Sequence, residues 1–135
     1  MKKKQIITCS RIAEGIVHEN LYDLDHEEAW GLFLTNQNTV IAVEMLSKGT
    51  LNKTSLDSRT VLRRALLNNA GGIIILHNHP SGNPMPSKSD IEFTKKLHDA
   101  CELMDIGFLD HLIVSHDSYY SFSDEKEYNH TNKIK

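Results

Sequence analysis

The sequence predicts an α/β fold, with a mixed central β-sheet flanked by helices. Three observations predict it. Ile73-Ile74-Ile75-Leu76 is a short β-branched run of buried-strand character. Glu28 to Leu46 reads as two apolar strands joined by the turn residues Asn36-Gln37-Asn38. Between and around these lie segments whose apolar residues recur at helical spacing.

In chain order, Gln5 to Thr8 is expected as a short edge strand. Ser10 is placed to cap a helix running to about Asn20, with Ile12, Ala13, Ile16 and Val17 on one face. Leu21 to His26 is a polar connector. The hairpin follows, from Glu28 to Leu34 and back from Thr39 to Leu46. Its return strand is apolar on both sides, which predicts cover on both faces. Gly49 to Leu56 is a loop. Asp57 or Ser58 caps the next helix, whose stripe is Val61, Leu62, Ala65 and Leu66, and Gly71-Gly72 is expected to end it. The central strand comes next. Ser87 or Ser89 caps a long helix to about Asp105, with Ile91, Phe93, Leu97, Ala100, Cys101 and Met104 inward. His111 to Ser115 is a strand, and Tyr119 to Phe122 pairs with it. One domain over residues 6–123 is expected, with tails at 1–5 and 124–135.

Composition excludes several classes of function. Net charge is −3, so no broad basic surface for nucleic acid is implied, and Lys2-Lys3-Lys4 reads as a solvated tail. No apolar segment is long enough for a membrane span, and the first residues do not form a secretory signal. Cys9 and Cys101 show no CxxC spacing, so a reduced, cytoplasmic setting is expected.

The chemistry is concentrated in HNHPSGNPMPSKSD, residues 77–90. His77 and His79 stand at i and i+2, so on an extended segment both imidazoles leave by one face. Gly82, Pro84 and Pro86 then force a turn. Asp90 follows in the first turn of the next helix, where the helix dipole favours a carboxylate. Two His and one Asp suit a three-ligand zinc site whose fourth position is left for water. A base is also required, and it should be a carboxylate that is not a ligand. Glu28 and Glu44 stand unusually among apolar strand positions and are the candidates. Ser87 is placed to polarise a substrate carbonyl, or to cap its helix, or both. His111 is a candidate fourth metal group but is expected rather to pack or hydrogen-bond near the site, because open catalytic sites keep three protein ligands, and Asp110 is a candidate to orient a ligand imidazole. Trp30 reads as a core or interface anchor. His18, His26, His98, His116 and His130 lack ligand-like spacing and are expected at the surface.

HNHP followed by Ser87 and Asp90 resembles the JAMM, or JAB1/MPN, metalloprotease signature. The longer run HNHPSGNPMPS, with Gly49-Thr50-Leu51-Asn52 upstream and Leu109-Asp110-His111 downstream, is similar more narrowly to the RadC-like JAB domains of bacteria. The resemblance runs from about Ile6 to Phe122. It implies an α/β sandwich similar to that of the cytidine deaminases. It implies one Zn2+ per chain on His77, His79 and Asp90, with Ser87 assisting the oxyanion. The family's glutamate matches Glu28-Ala29-Trp30-Gly31-Leu32, so the resemblance implies Glu28 as general base, with Glu44 in reserve. The function so implied is a zinc metallopeptidase acting on a peptide or isopeptide substrate. The alternative is a non-catalytic metal-binding module associated with DNA repair or mobile-element DNA processing, with DNA-processing partners and as a homodimer. Family members often carry an N-terminal helix-hairpin-helix region for DNA, for which 135 residues leave no room. A deaminase is disfavoured, because it would present Cys ligands and a Glu within an H-x-E pattern, an arrangement that His77-Asn78-His79 does not give. His₂Asp ligation also admits iron or manganese.

Overall fold

The computed structural model describes residues 5–49 and 56–130. Its elements are α1 (Ser10–Leu21), β1 (Glu28–Leu34), β2 (Val40–Lys48), α2 (Ser58–Leu67), β3 (Gly72–Asn78), α3 (Lys88–Leu103), β4 (Gly107–Val114), β5 (Ser118–Ser121) and β6 (Lys126–Asn129). The strands form one six-stranded sheet in the order β2-β1-β3-β4-β5-β6. Only β3 and β4 run parallel, and the other neighbours are antiparallel. The sheet is mixed and helices cover both faces, as the sequence predicts.

Alternation along the strands builds two cores. Ala29, Phe33, Ile73 and Ile75 face Val61 and Ala65 of α2 and Phe93, Leu97 and Cys101 of α3. We call this the front face. Leu32, Leu34, Ile74, Leu76, Leu112 and Val114 face Ala13, Val17 and Leu21 of α1 on the back. The central strand β3 is buried along its whole length, which explains its unbroken apolar run. Because β3 and β4 are parallel, the chain must cross over between them, and α3 is that crossover. Ligands in open α/β sheets bind beyond the carboxyl ends of such strands. His77, Asn78 and His79 occupy that position.

Several expectations are corrected. Strand β2 is not covered on both sides. It lies at the sheet edge, and Ile41, Val43 and Met45 are 41, 39 and 46% exposed. Helix α1 packs chiefly over β4, β3 and β1. Gln5 to Thr8 forms no strand, only a single bridge from Ile6 to Thr39. The N-cap of α1 is Cys9, without a side-chain bond, and Ser10 instead meets the Tyr119 hydroxyl at 3.0 Å. Helix α2 ends at Leu67, ahead of the glycines, because Asn69 takes the left-handed conformation at φ 53°. Asp105 does the same after α3, at φ 58°. Gly71 has a packing role instead: a Cβ there would sit 1.9 Å from Asn36 Oδ1. The chain does not fray at Asp124. Residues Lys126–Asn129 pair with β5, and Tyr128 stacks on Tyr119 at 5.2 Å. Charged residues are normal on such an edge strand, so composition alone misleads there. The expected Gly49–Leu56 loop falls largely outside the described residues, as do residues 1–4 and 131–135 of the two expected tails.

Glu44 of β2 is engaged on the front face. Arg64 of α2 donates to it through Nε at 2.7 Å and through an Nη at 2.9 Å, and Asn68 donates at 3.0 Å. The Arg64 fork holds its carboxyl below the usual range. Glu44 therefore ties α2 to the sheet edge. Glu44→Gln is expected to cost about 1 kcal/mol, because the pair is partly solvated. Urea denaturation checks this, and metal content should not change.

Candidate metal centre

His77 is the sixth residue of β3, and it pairs with Ala29 across the antiparallel ladder. Ala29 belongs to the front cluster, so His77 projects to the front. His79 follows just past the strand end, with its N–H donating to Val114 O at 2.9 Å. Asp90 is brought in by α3. Ser87 is the N-cap of that helix: its Oγ accepts from Asp90 N at 3.0 Å, while Asp90 Oδ2 accepts from Ser87 N at 2.8 Å. This reciprocal capping box fixes the carboxylate in place.

The three ligand types converge. His77 Nε2 lies 3.2 Å from His79 Nε2 and 3.1 Å from Asp90 Oδ1, and His79 Nε2 lies 3.0 Å from Asp90 Oδ2. Ligand atoms about 2.1 Å from a tetrahedral ion stand about 3.4 Å apart, so the triangle is nearly the right size.

Hydrogen bonds also set the tautomers. Thr94 spends its one hydroxyl proton on Asp90 O, at 2.7 Å. His111 Nδ1, 2.5 Å from the same Thr94 oxygen, must therefore be the donor in that contact. Burial pushes the pKa of His111 well below the ordinary value, so the ring is neutral and its Nε2 carries a lone pair. That lone pair accepts from His77 Nδ1 at 2.8 Å, which turns the Nε2 of His77 toward the triad. His79 Nδ1 faces the Asn83 carbonyl at 2.9 Å and must donate, so the Nε2 of neutral His79 is bare. Two lone pairs and a carboxylate meeting at one point make a donor set for a cation. In its absence a proton must serve. Burial lowers the pKa of His79, but the Asp90 and Asn83 contacts outweigh it and raise it overall. Burial raises that of Asp90, and the two imidazoles more than reverse this, holding the carboxyl far below its usual range. The donor set fits a divalent metal.

Thr94 and His111 thus orient a ligand without touching the metal position. The sequence points to His111 but not to Thr94, whose role depends on a helix turn lying over β4. Thr94→Val is expected to weaken metal affinity about 10–100-fold. Competition with a chromophoric chelator measures it, and unchanged affinity would remove Thr94 from the chain of bonds. Asp110 does not orient an imidazole. Its carboxylate accepts from His111 N, Ser123 N and Ser121 Oγ at 2.8, 2.9 and 2.7 Å, and so tethers the chain after β5.

The cleft beside the triad is lined by Glu27, His79, Pro80, Ser81, Ser87 and Asp90. Glu28 is not among them. Side chains alternate along β1, and Glu28 shares the side of Trp30, which packs with the back cluster. Trp30 Nε1 donates to Glu28 Oε1 at 3.0 Å, and His26 Nε2 lies 2.7 Å from Oε2. Burial raises the Glu28 pKa, but these two bonds win and lower it. Trp30 is partly buried and packs against the back cluster, as an anchor would. Glu27 is two residues before Ala29, on the side of His77, and its charge helps raise the pKa of His79. Nothing in the sequence marks Glu27, because it lies just outside the strand with no apolar flank. Among the remaining histidines, His98 and His116 are exposed beside Asp99 and Asp117 as expected. His18 and His130 are not surface residues, with side chains only 20 and 11% exposed.

A mixed sheet with helices on both faces, a His-x-His leaving its central parallel strand and an aspartate opening the crossover helix define a JAB/MPN-type domain with a candidate metal triad. More narrowly, the chain belongs to the RadC-like JAB domain family, whose pattern it matches over residues 7–128. It is 46% identical over 123 residues to a UPF0758 protein of Flavobacterium johnsoniae, an alignment covering 91% of this chain and 54% of the relative. A UPF0758 protein of Porphyromonas gingivalis is 40% identical over 126 residues, covering 93% of this chain and 56% of the relative. One from Desulforudis audaxviator is 42% identical over 109 residues, covering 81% and 47%. The chain thus spans about half the length of these relatives. Among the described residues no helix is long and apolar enough to cross a membrane.

Proposed function

We propose that the protein is a metal-dependent hydrolase that cleaves amide bonds in a peptide or isopeptide. The observation carrying this reading is a triad at the edge of a cleft that also presents a non-ligand carboxylate, Glu27, and a hydroxyl, Ser87. A purely structural metal site would need neither.

A divalent cation on His77, His79 and Asp90, with zinc fitting the donor set best, supplies a polarised water and positive charge near the scissile carbonyl. The residues do the rest. Glu27 accepts the proton of the attacking water and later returns it to the leaving amine nitrogen, so that proton, water and amide balance to acid and amine. Ser87 Oγ already accepts from Asp90 N. Its own O–H remains to donate to the carbonyl oxygen as charge develops there, and capping and catalysis are compatible in one side chain. His111 and Thr94 keep the His77 tautomer fixed throughout. Glu28, implied by the resemblance, is the rival base. Its position behind β1 favours Glu27.

The test is hydrolysis of a panel of peptides and isopeptide-linked conjugates by the full chain, with and without a chelator. Chelator-sensitive cleavage restored by Zn2+ supports the reading. Bound zinc with no cleavage across the panel would favour the non-catalytic module with DNA-processing partners.

A further inference from the structure

A second group of ligand types lies on the back of the sheet. Glu14 and His18 are four residues apart on α1, so their side chains sit one above the other on the same helix face. His130, just beyond β6, reaches the same place from the far edge of the sheet. Glu14 Oε2 is 2.6 Å from His18 Nδ1 and 3.6 Å from His130 Nε2. The three ligand atoms all lie within 4.8 Å of one another.

Glu14 is wholly buried, at 0% exposure. A buried carboxyl needs hydrogen-bond or metal partners for its oxygens. Here two imidazoles from separate elements supply nitrogen around one oxygen, the same donor chemistry as on the front face. A tetrahedral ion sets ligand atoms about 3.4 Å apart. The Glu14–His130 separation already suits this, and His18 need only retreat from hydrogen-bonding distance by less than about 1 Å. The rings are braced for the purpose. His18 stacks on Tyr22 at 4.7 Å and meets His130 edge-on at 4.5 Å. His130 N donates to Asp117 O at 2.8 Å, and its ring lies 5.7 Å from that of Tyr119.

We propose that Glu14, His18 and His130 form a second site for a divalent cation of the zinc type. An ion there pins β6 at the edge of the sheet to α1 and adds stability without taking part at the cleft. The proposal does not rest on the hydrolase reading.

The full chain is dialysed to equilibrium against micromolar Zn2+, and bound metal is measured. About two ions per chain are expected, from two separate three-ligand sets. His18→Gln and His130→Gln should each lower the count by one, as should His77→Ala from the other side of the sheet. In the His77→Ala background, added Zn2+ should still raise the melting temperature, and adding His130→Gln should abolish that rise. An unchanged zinc count in both glutamine variants overturns the second site. So does the absence of any zinc-dependent melting shift in folded His77→Ala, a result that stands even if a glutamine variant misfolds. Retention of both ions by His77→Ala would instead count against the front triad.

Discussion

Glu27→Gln is expected to lower turnover by about 10²–10⁴-fold while leaving bound metal and melting temperature unchanged. The side chain lines the cleft with His79, Ser87 and Asp90, yet is not one of the three converging ligands. Gln keeps its size and its hydrogen-bonding reach but cannot take a proton at neutral pH. The loss should therefore fall on kcat more than on KM. Glu28→Gln is the control, because the two residues are adjacent and project to opposite sides of the sheet. That variant removes the charge Glu28 presents to His26 and Trp30 and should cost some stability, with turnover retained. Parallel assays on one cleaved substrate decide between them. Full activity in Glu27→Gln with loss in Glu28→Gln would return the role of base to Glu28.

The contrast between these neighbours shows what a linear sequence can and cannot convey. His77, His79 and Asp90 are legible because their spacing is tied to local geometry: an extended i, i+2 pair, a Gly/Pro turn and a helix cap. Each of those devices acts within a few residues, and the folded chain realises all of them. The base is different. Which of two adjacent glutamates faces the front depends on the phase of β1 against β3, set where Ala29 pairs with His77. A slip of one residue would exchange them. Motif likeness favours Glu28, and register favours Glu27. The exposed stripe Ile41, Val43 and Met45 was misleading for a related reason. Alternating apolar residues tell that a strand exists, but not whether it lies at the centre or the edge of its sheet. The back cluster was hidden because Glu14 and His18 reveal only half of it. His130 joins them through the pairing of β6 with β5, in a segment whose composition suggests a tail.

Asp90→Ala is expected to be the most damaging single change at the front site, because it removes three things together. It deletes a ligand, so zinc content should fall by one per chain, as in His77→Ala. It also opens the capping box at the start of α3, which costs about 1 kcal/mol even without metal. Finally, it leaves His77 and His79 facing each other at 3.2 Å with no carboxylate between them. His77→Ala shares the first loss but keeps the cap. Urea denaturation of both variants and of the wild type in excess chelator separates these terms. Metal-free Asp90→Ala should be the least stable of the three. The pH dependence has a definite sign. The folded-state pKa of Asp90 is depressed, so its contribution is complete above the unfolded carboxyl value of about 3.9 and is lost as pH falls below it. Over that acid range the metal-free wild type should lose stability faster than metal-free Asp90→Ala. Equal stability of the two proteins at neutral pH in chelator would show that Asp90 does not hold the helix, and retention of zinc by Asp90→Ala would show that it does not hold the metal.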